Sequence, residues 1–271
     1  MVKKIASYIL TYRSGGDPLR RANLDAVLLW LTAFPQFEVI VVEQDVAATL
    51  AAPLALADAQ VAFAFNPGPF NKSWGFNVGA RLASTSILGF GDADVICGSV
   101  AEAVEACARG VVAVNPYRRL IDLTESESAS VRAGQFNFLP TRDHGAAGAQ
   151  NRLGIQEHIV FCGGIVFLQR GAFAHLGGWD ERFVGWGAED DAMTRKIQRA
   201  RVSAIELDSH IALHLNHQRD NLALKATPHY ANNLRLLDQY RDLSDDALKR
   251  LCEVQLQLSG TREKYRPAAA R

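Results

Sequence analysis

The 271-residue sequence lacks net charge, paired cysteines and any long apolar run. Lys plus Arg number 29 and Asp plus Glu number 29, so the chain is formally neutral. Neutrality argues against a bulk electrostatic grip on nucleic acid or an anionic membrane, though a local basic patch remains open. Only four cysteines occur, Cys97, Cys107, Cys162 and Cys252, with no Cys-x-x-Cys among them. That argues against a disulfide scaffold or a zinc knuckle and for reduced thiols in a cytosolic protein. Lys3-Lys4 and the short apolar run after it imitate a signal peptide, but Tyr12-Arg13 cut the run too early. The alanine-rich stretch 46–65 contains Pro53, Asp58 and Gln60, which argue against a membrane span. There is no internal repeat and no low-complexity segment. The expectation is a cytoplasmic protein, at most peripheral at the inner face of a membrane.

What is present is the composition of a globular chain, 48% hydrophobic and 21% charged, long enough to bury a real core. Runs of β-branched and apolar residues predict buried strands over 5–10, 37–42, 61–65, 86–90 and 111–114. Helical spacing falls between them, over 19–34, 74–84 and 101–109. Strands alternating with helices give an α/β fold with a mainly parallel sheet. Residues 117–154 are polar and read as a long loop or lid. Order returns with a β-like stretch over 158–169, a helix over 188–199 and a strand over 203–207. Two helices are expected over 227–259, the second capped by Ser244.

Three constellations carry chemistry. Asp92-Ala93-Asp94 follows a buried strand, at the sheet edge where α/β proteins gather ligands. Carboxylates two apart on extended chain point the same way and could share a divalent cation; a turn with two solvated Asp residues is the commoner reason for such a pair. Gly185-Trp186-Gly187-Ala188-Glu189-Asp190-Asp191 opens a helix. Acids there suit the helix dipole, but Trp between two glycines asks for more. Glycines admit a ligand close to the backbone, an indole offers a flat face to a sugar ring, and a carboxylate can act as general base. His214-Leu215-Asn216-His217 places two imidazoles three apart, which meet on a helix or turn and diverge on a strand. With carboxylate oxygens they suit manganese or another transition metal; a surface pair without metal is the plainer reading.

These pieces occur together and in order. Phe70-Asn71-Lys72-Ser73-Trp74-Gly75-Phe76-Asn77-Val78-Gly79 followed by Gly91-Asp92-Ala93-Asp94 resembles the donor half of a GT-A glycosyltransferase. Cys162-Gly163-Gly164-Ile165-Val166-Phe167, Gly177-Gly178-Trp179-Asp180 and the Trp186 block resemble the carboxyl-terminal region of the β-1,4-galactosyltransferase family and of bacterial chondroitin-polymerase-like enzymes. The resemblance spans about residues 5 to 220 and implies a Rossmann-like GT-A fold, that of nucleotide-diphospho-sugar transferases, with carboxyl-terminal helices added. It implies a transferase domain over 1–226, made of a nucleotide-sugar half (1–116), a flexible loop (117–154) and an acceptor half (155–226). A helical extension over 227–271 follows.

Carried over by position, the resemblance implies that Thr11, Tyr12, Arg13, Glu43, Lys72, Asp92 and Gly164 bind the donor nucleotide. It implies that Asp94, His214 and His217 hold Mn2+, with Mg2+ as a substitute. Phe161, Trp186 and Glu189 would contact sugars, and Asp190 would be the catalytic base. Phe161 stands where a Tyr is usual, a change that would admit a bulkier N-acetyl sugar. The expected function is metal-dependent, inverting transfer of a hexose or N-acetylhexosamine from a UDP-sugar to a saccharide or glycolipid acceptor. Bacterial surface polysaccharide or lipopolysaccharide synthesis is the expected setting. Three rivals stay open: a metal-dependent nucleotidyltransferase or phosphohydrolase, a non-catalytic sugar- or nucleotide-binding module, and a partner-binding protein whose two terminal helices do the work. For the terminal helices, packing back on the domain is favoured over pairing a homo-oligomer or touching a lipid-linked acceptor.

Overall fold

The structure, a computed structural model, describes residues 2–50, 54–137, 139–140, 164–218 and 221–266. Ten strands and nine helices are defined among these residues. In chain order they are β1 (Ala6–Tyr12), α1 (Pro18–Leu31), β2 (Phe37–Asp45), β3 (Gln60–Phe65), α2 (Lys72–Leu82), β4 (Ile87–Asp92), β5 (Val95–Cys97), α3 (Val100–Ala108), β6 (Ala113–Asn115), β7 (Leu120–Asp122) and α4 (Glu125–Arg132). They continue with β8 (Ile165–Gln169), α5 (Arg170–His175), α6 (Glu189–Ala200), β9 (Ala204–Glu206), β10 (Ala212–His214), α7 (Asn221–Lys225), α8 (Pro228–Asp242) and α9 (Asp245–Leu258).

Seven strands form the main sheet in the order β3-β2-β1-β4-β8-β6-β9. All neighbours run parallel except β8, which is antiparallel to both β4 and β6. Along β1 the pleat sends Tyr8, Leu10 and Tyr12 to one face and Ile9 to the other. The first face is covered by Leu24, Val27 and Leu28 of α1 and Val100 and Val104 of α3. The second is covered by Trp74, Phe76 and Val78 of α2, Phe173 of α5 and Met193 and Ile197 of α6. Each such side chain buried from water is worth about 1.5–3 kcal/mol, so both layers hold the sheet. Cys97, Cys107 and Cys252 are free and buried. Among the described residues no helix is long and apolar enough to cross a membrane.

A smaller sheet, β5-β10-β7, stands beside the main one. Its central strand is antiparallel to β5 and parallel to β7. Neither β5, β7 nor β10 is legible as a strand in the sequence, because each is three residues long. The polar stretch 117–154 is not one long loop: β7 and α4 lie within it. Thr124 and Glu127 close a capping box that starts α4, a local signal outweighed by the polar composition around it. The part of the expected lid over 141–154 lies outside the described residues. The terminal helices α8 and α9 pack against the body through Phe183, Ala192, Tyr240, Leu248 and Cys252. Ser244 caps α9, accepting from the backbone of Ala247.

Candidate active site

Sheet register sets the first side chains. Thr11 lies beside Asp92, and Tyr12 beside Glu43, all at the carboxyl ends of parallel strands. The N-terminus of α2 comes to the same edge, capped by Asn71, whose Oδ1 accepts from Trp74 N. That places Lys72 at the centre of three acids. Its Nζ is 3.0 Å from Asp92 Oδ1, 3.5 Å from Asp190 Oδ2 and 3.6 Å from Glu189 Oε1. Burial works against the ammonium, but Asp190, Asp92 and Glu189 outweigh it and hold the Lys72 pKa well above the ordinary lysine value. Glu189 and Asp190 open α6, where the helix dipole favours negative charge.

Asp92 is clasped by Gly164. The Gly164 amide donates to Asp92 Oδ2 at 2.9 Å, and the Asp92 amide donates to Gly164 O at 2.7 Å. Gly164 has φ of 90°, and a Cβ there would stand 2.1 Å from the Tyr117 hydroxyl, so only glycine fits.

Asp94 has different neighbours. His217 Nε2 is 3.2 Å and His214 Nε2 3.7 Å from its carboxylate oxygens. The three side chains offer ligand atoms that all lie within 4.8 Å of one another. Both imidazoles present Nε2 because Nδ1 is held from behind: that of His214 is 2.7 Å from Asp122 Oδ1, and that of His217 3.0 Å from Gln218 O. With Nδ1 held in this way, each imidazole turns Nε2, the atom a metal would take, toward Asp94. Burial raises the Asp94 pKa, but His214 and His217 outweigh it and hold the carboxyl well below the ordinary range. The donor set, one carboxylate and two imidazoles, fits a divalent transition-metal ion such as Mn2+. The two acids of Asp92-Ala93-Asp94 therefore do not converge on one partner: Asp92 turns to Lys72 and Asp94 to the imidazoles. β10 ends at His214, and the rings of His214 and His217 lie 5.6 Å apart.

The other donor-side candidates are held by the protein itself. Thr11 accepts from Gln44 Nε2 at 2.8 Å beneath α2. Tyr12 is buried, and burial raises its phenol pKa. Arg13 donates to Gly68 O and Asn66 O at 2.6 and 2.5 Å. Glu43 Oε1 accepts from the amides of Thr49 and Leu50 and from the Thr49 hydroxyl. Phe161 lies outside the described residues. Trp186 is 36% exposed and stacks on Tyr230, with ring centroids 5.4 Å apart and planes inclined by 26°. Sequence reasoning missed Asp122, Tyr117, Tyr230 and Asn233, which support these side chains from elements distant in the chain.

The sequence family described as the N-terminal domain of galactosyltransferase matches residues 151–218. No curated sequence is similar enough to count as a relative. Among solved structures, the catalytic domain of Drosophila β-1,4-galactosyltransferase 7 in complex with xylobiose superposes with a TM-score of 0.50 at 14% identity, covering 86% of this chain and 80% of that one. The mannosyltransferase of Pyrobaculum calidifontis, solved with GDP-mannose and Mn2+, gives 0.54 at 18% identity, covering 95% and 75%. GalNAc-T7 with UDP, GalNAc and Mn2+ gives 0.55 at 13% identity, covering 93% of this chain and 55% of that one. The chain has the fold of the GT-A glycosyltransferases, and its residues 151–218 carry a galactosyltransferase-type segment.

Proposed function

We propose that this protein is a metal-dependent glycosyltransferase that moves a hexose or N-acetylhexosamine from a UDP-sugar to a saccharide or glycolipid acceptor, with inversion. The observation that carries the reading is the convergence of Asp94, His214 and His217 at the strand end that also brings Asp92 to Lys72, Glu189 and Asp190. Mn2+, the ion present in two of the similar structures, would be held by Asp94, His214 and His217. When bound it supplies positive charge against the departing nucleoside diphosphate. Lys72 adds a second, permanent cation near the diphosphate. Thr11, Tyr12, Arg13, Glu43, Asp92 and Gly164 build the nucleotide wall, several of them by fixing the loops that form it. Asp190 takes the proton of the acceptor hydroxyl as its oxygen attacks the anomeric carbon. Trp186 and Glu189, with Phe161, contact the sugars. Attack opposite the leaving group inverts the anomeric centre. Surface polysaccharide or lipopolysaccharide synthesis, at the cytoplasmic face of a membrane, is the setting we propose.

A nucleotidyltransferase would use the same metal ligands but gives no role to Trp186. A binding module needs no base. Calorimetry with UDP, GDP and several UDP-sugars, with and without Mn2+, tests the reading. Mn2+-dependent binding of UDP compounds is expected; no binding to any of them overturns it. Release of pyrophosphate in place of a nucleoside diphosphate would move the assignment to nucleotidyl transfer.

A further inference from the structure

The Gly185-Trp186-Gly187 turn is strained and held from outside. Gly185, Gly187 and Ala188 all have positive φ, of 77°, 98° and 72°. A non-glycine residue in that region persists only where its surroundings impose it. The imposing element is α8. Asn233, 1% exposed, has Nδ2 at 3.1, 3.3 and 3.0 Å from the carbonyls of Val184, Trp186 and Gly187. Its Oδ1 accepts from Val184 N at 3.3 Å. One turn earlier in α8, Tyr230 lies against the indole of Trp186, and a Cβ on residue 187 would stand 3.0 Å from its ring. The glycines thus admit α8 close to the turn. Trp186 still leaves 36% of its surface open, whereas Trp30, Trp74 and Trp179 are at most 5% exposed.

We propose that α8 is part of the acceptor site: Asn233 and Tyr230 are positioning residues that fix the Trp186 indole, and the acceptor sugar lays its apolar face on the part left open. The proposal rests on the glycosyltransferase reading above. It makes the terminal helices a component of the acceptor subsite and not an appendage to it.

The test uses the full chain and the variants Tyr230→Ala, Tyr230→Phe and Asn233→Asp. Transfer is measured from UDP-galactose with Mn2+ to the methyl β-glycosides of galactose, glucose, xylose and N-acetylglucosamine. UDP affinity is measured by calorimetry, and acrylamide quenching reports the exposed Trp186. Tyr230→Ala is expected to raise the acceptor KM about tenfold, the equivalent of one lost aromatic contact. Its kcat and Mn2+-dependent UDP affinity should stay within about twofold, below the tenfold that one such contact commands. Tyr230→Phe, which keeps the ring, should restore the KM. Asn233→Asp, which turns a carboxylate toward three carbonyls, should raise the KM at least as much and increase quenching of Trp186. Unchanged KM and quenching in both Tyr230→Ala and Asn233→Asp, with normal UDP binding, overturns this proposal alone. So does UDP affinity falling in step with transfer, which marks a general folding role. A wild-type chain that binds no UDP, or transfers to none of the glycosides and gains no protection of Trp186 from them, overturns the acceptor site together with the reading it rests on.

Discussion

Two acidic clusters two residues apart handle charge in opposite ways. Asp92, Glu189 and Asp190 surround a cation the chain brings itself, Lys72. Asp94 faces two imidazoles, and among the described residues no Lys or Arg bridges it. In the first cluster a cation of the chain itself bridges the acids and holds them in place. The second could hold a metal ion. The difference teaches that an Asp-x-Asp motif need not be one site: here the intervening residue separates a cluster bridged by a lysine from one that could hold a metal ion.

The comparison can be broken at several points. Asp190→Asn should lower transfer by about 10²–10⁴-fold, the share of a positioned base, while UDP binding by calorimetry persists; unchanged turnover would relocate the base. Lys72→Met should destabilise the fold by about 3 kcal/mol, because carboxylates at 9–28% side-chain exposure lose their shared cation. A urea midpoint equal to wild type would show that Lys72 does not hold the first cluster together. Asp94→Ala should abolish the Mn2+ dependence of UDP binding, and Asp122→Asn, acting through His214, should weaken Mn2+ affinity by about 10–100-fold. Equal affinity with and without Mn2+ in the wild type would remove the second cluster from the reading.

The smallest effect belongs to another acid, outside both clusters. Asp180 is buried, which raises its pKa, but Arg182 and the Tyr240 hydroxyl outweigh burial and hold it below the ordinary value. A depressed folded pKa contributes stability above the unfolded value and loses it as pH falls through the folded one. Urea midpoints from about pH 6 down to about pH 3 should therefore fall in wild type and flatten in Asp180→Asn.

The legible parts of the molecule are those written locally. The buried runs of β1 to β4 and the cap at Ser244 can be read from neighbours in the chain. The carboxylates, the histidines and Trp186 stand out by type and spacing. Their partnerships do not, because those are set by register and by approach over long separations. Lys72 and Asp190 are 118 residues apart, His214 and Asp122 92, and Asn233 and Val184 49. The short strands β5, β7 and β10 carry too few residues for any period to show. The capping box at Thr124 was readable, and the polar residues around it masked it.

The place of β10 between β5 and β7 has a consequence for synthesis. Register sets His214 opposite Val95 on one side and Asp122 on the other, and Leu215 N donates to Asp94 O at 2.8 Å. Both flanking strands leave the ribosome well before the one that joins them. Domains fold from the amino terminus as they emerge, so the donor strands can assemble while the ligand set is still incomplete. A nascent chain stalled short of Ala212 would have Asp94 and Asp122 but neither imidazole to set between them.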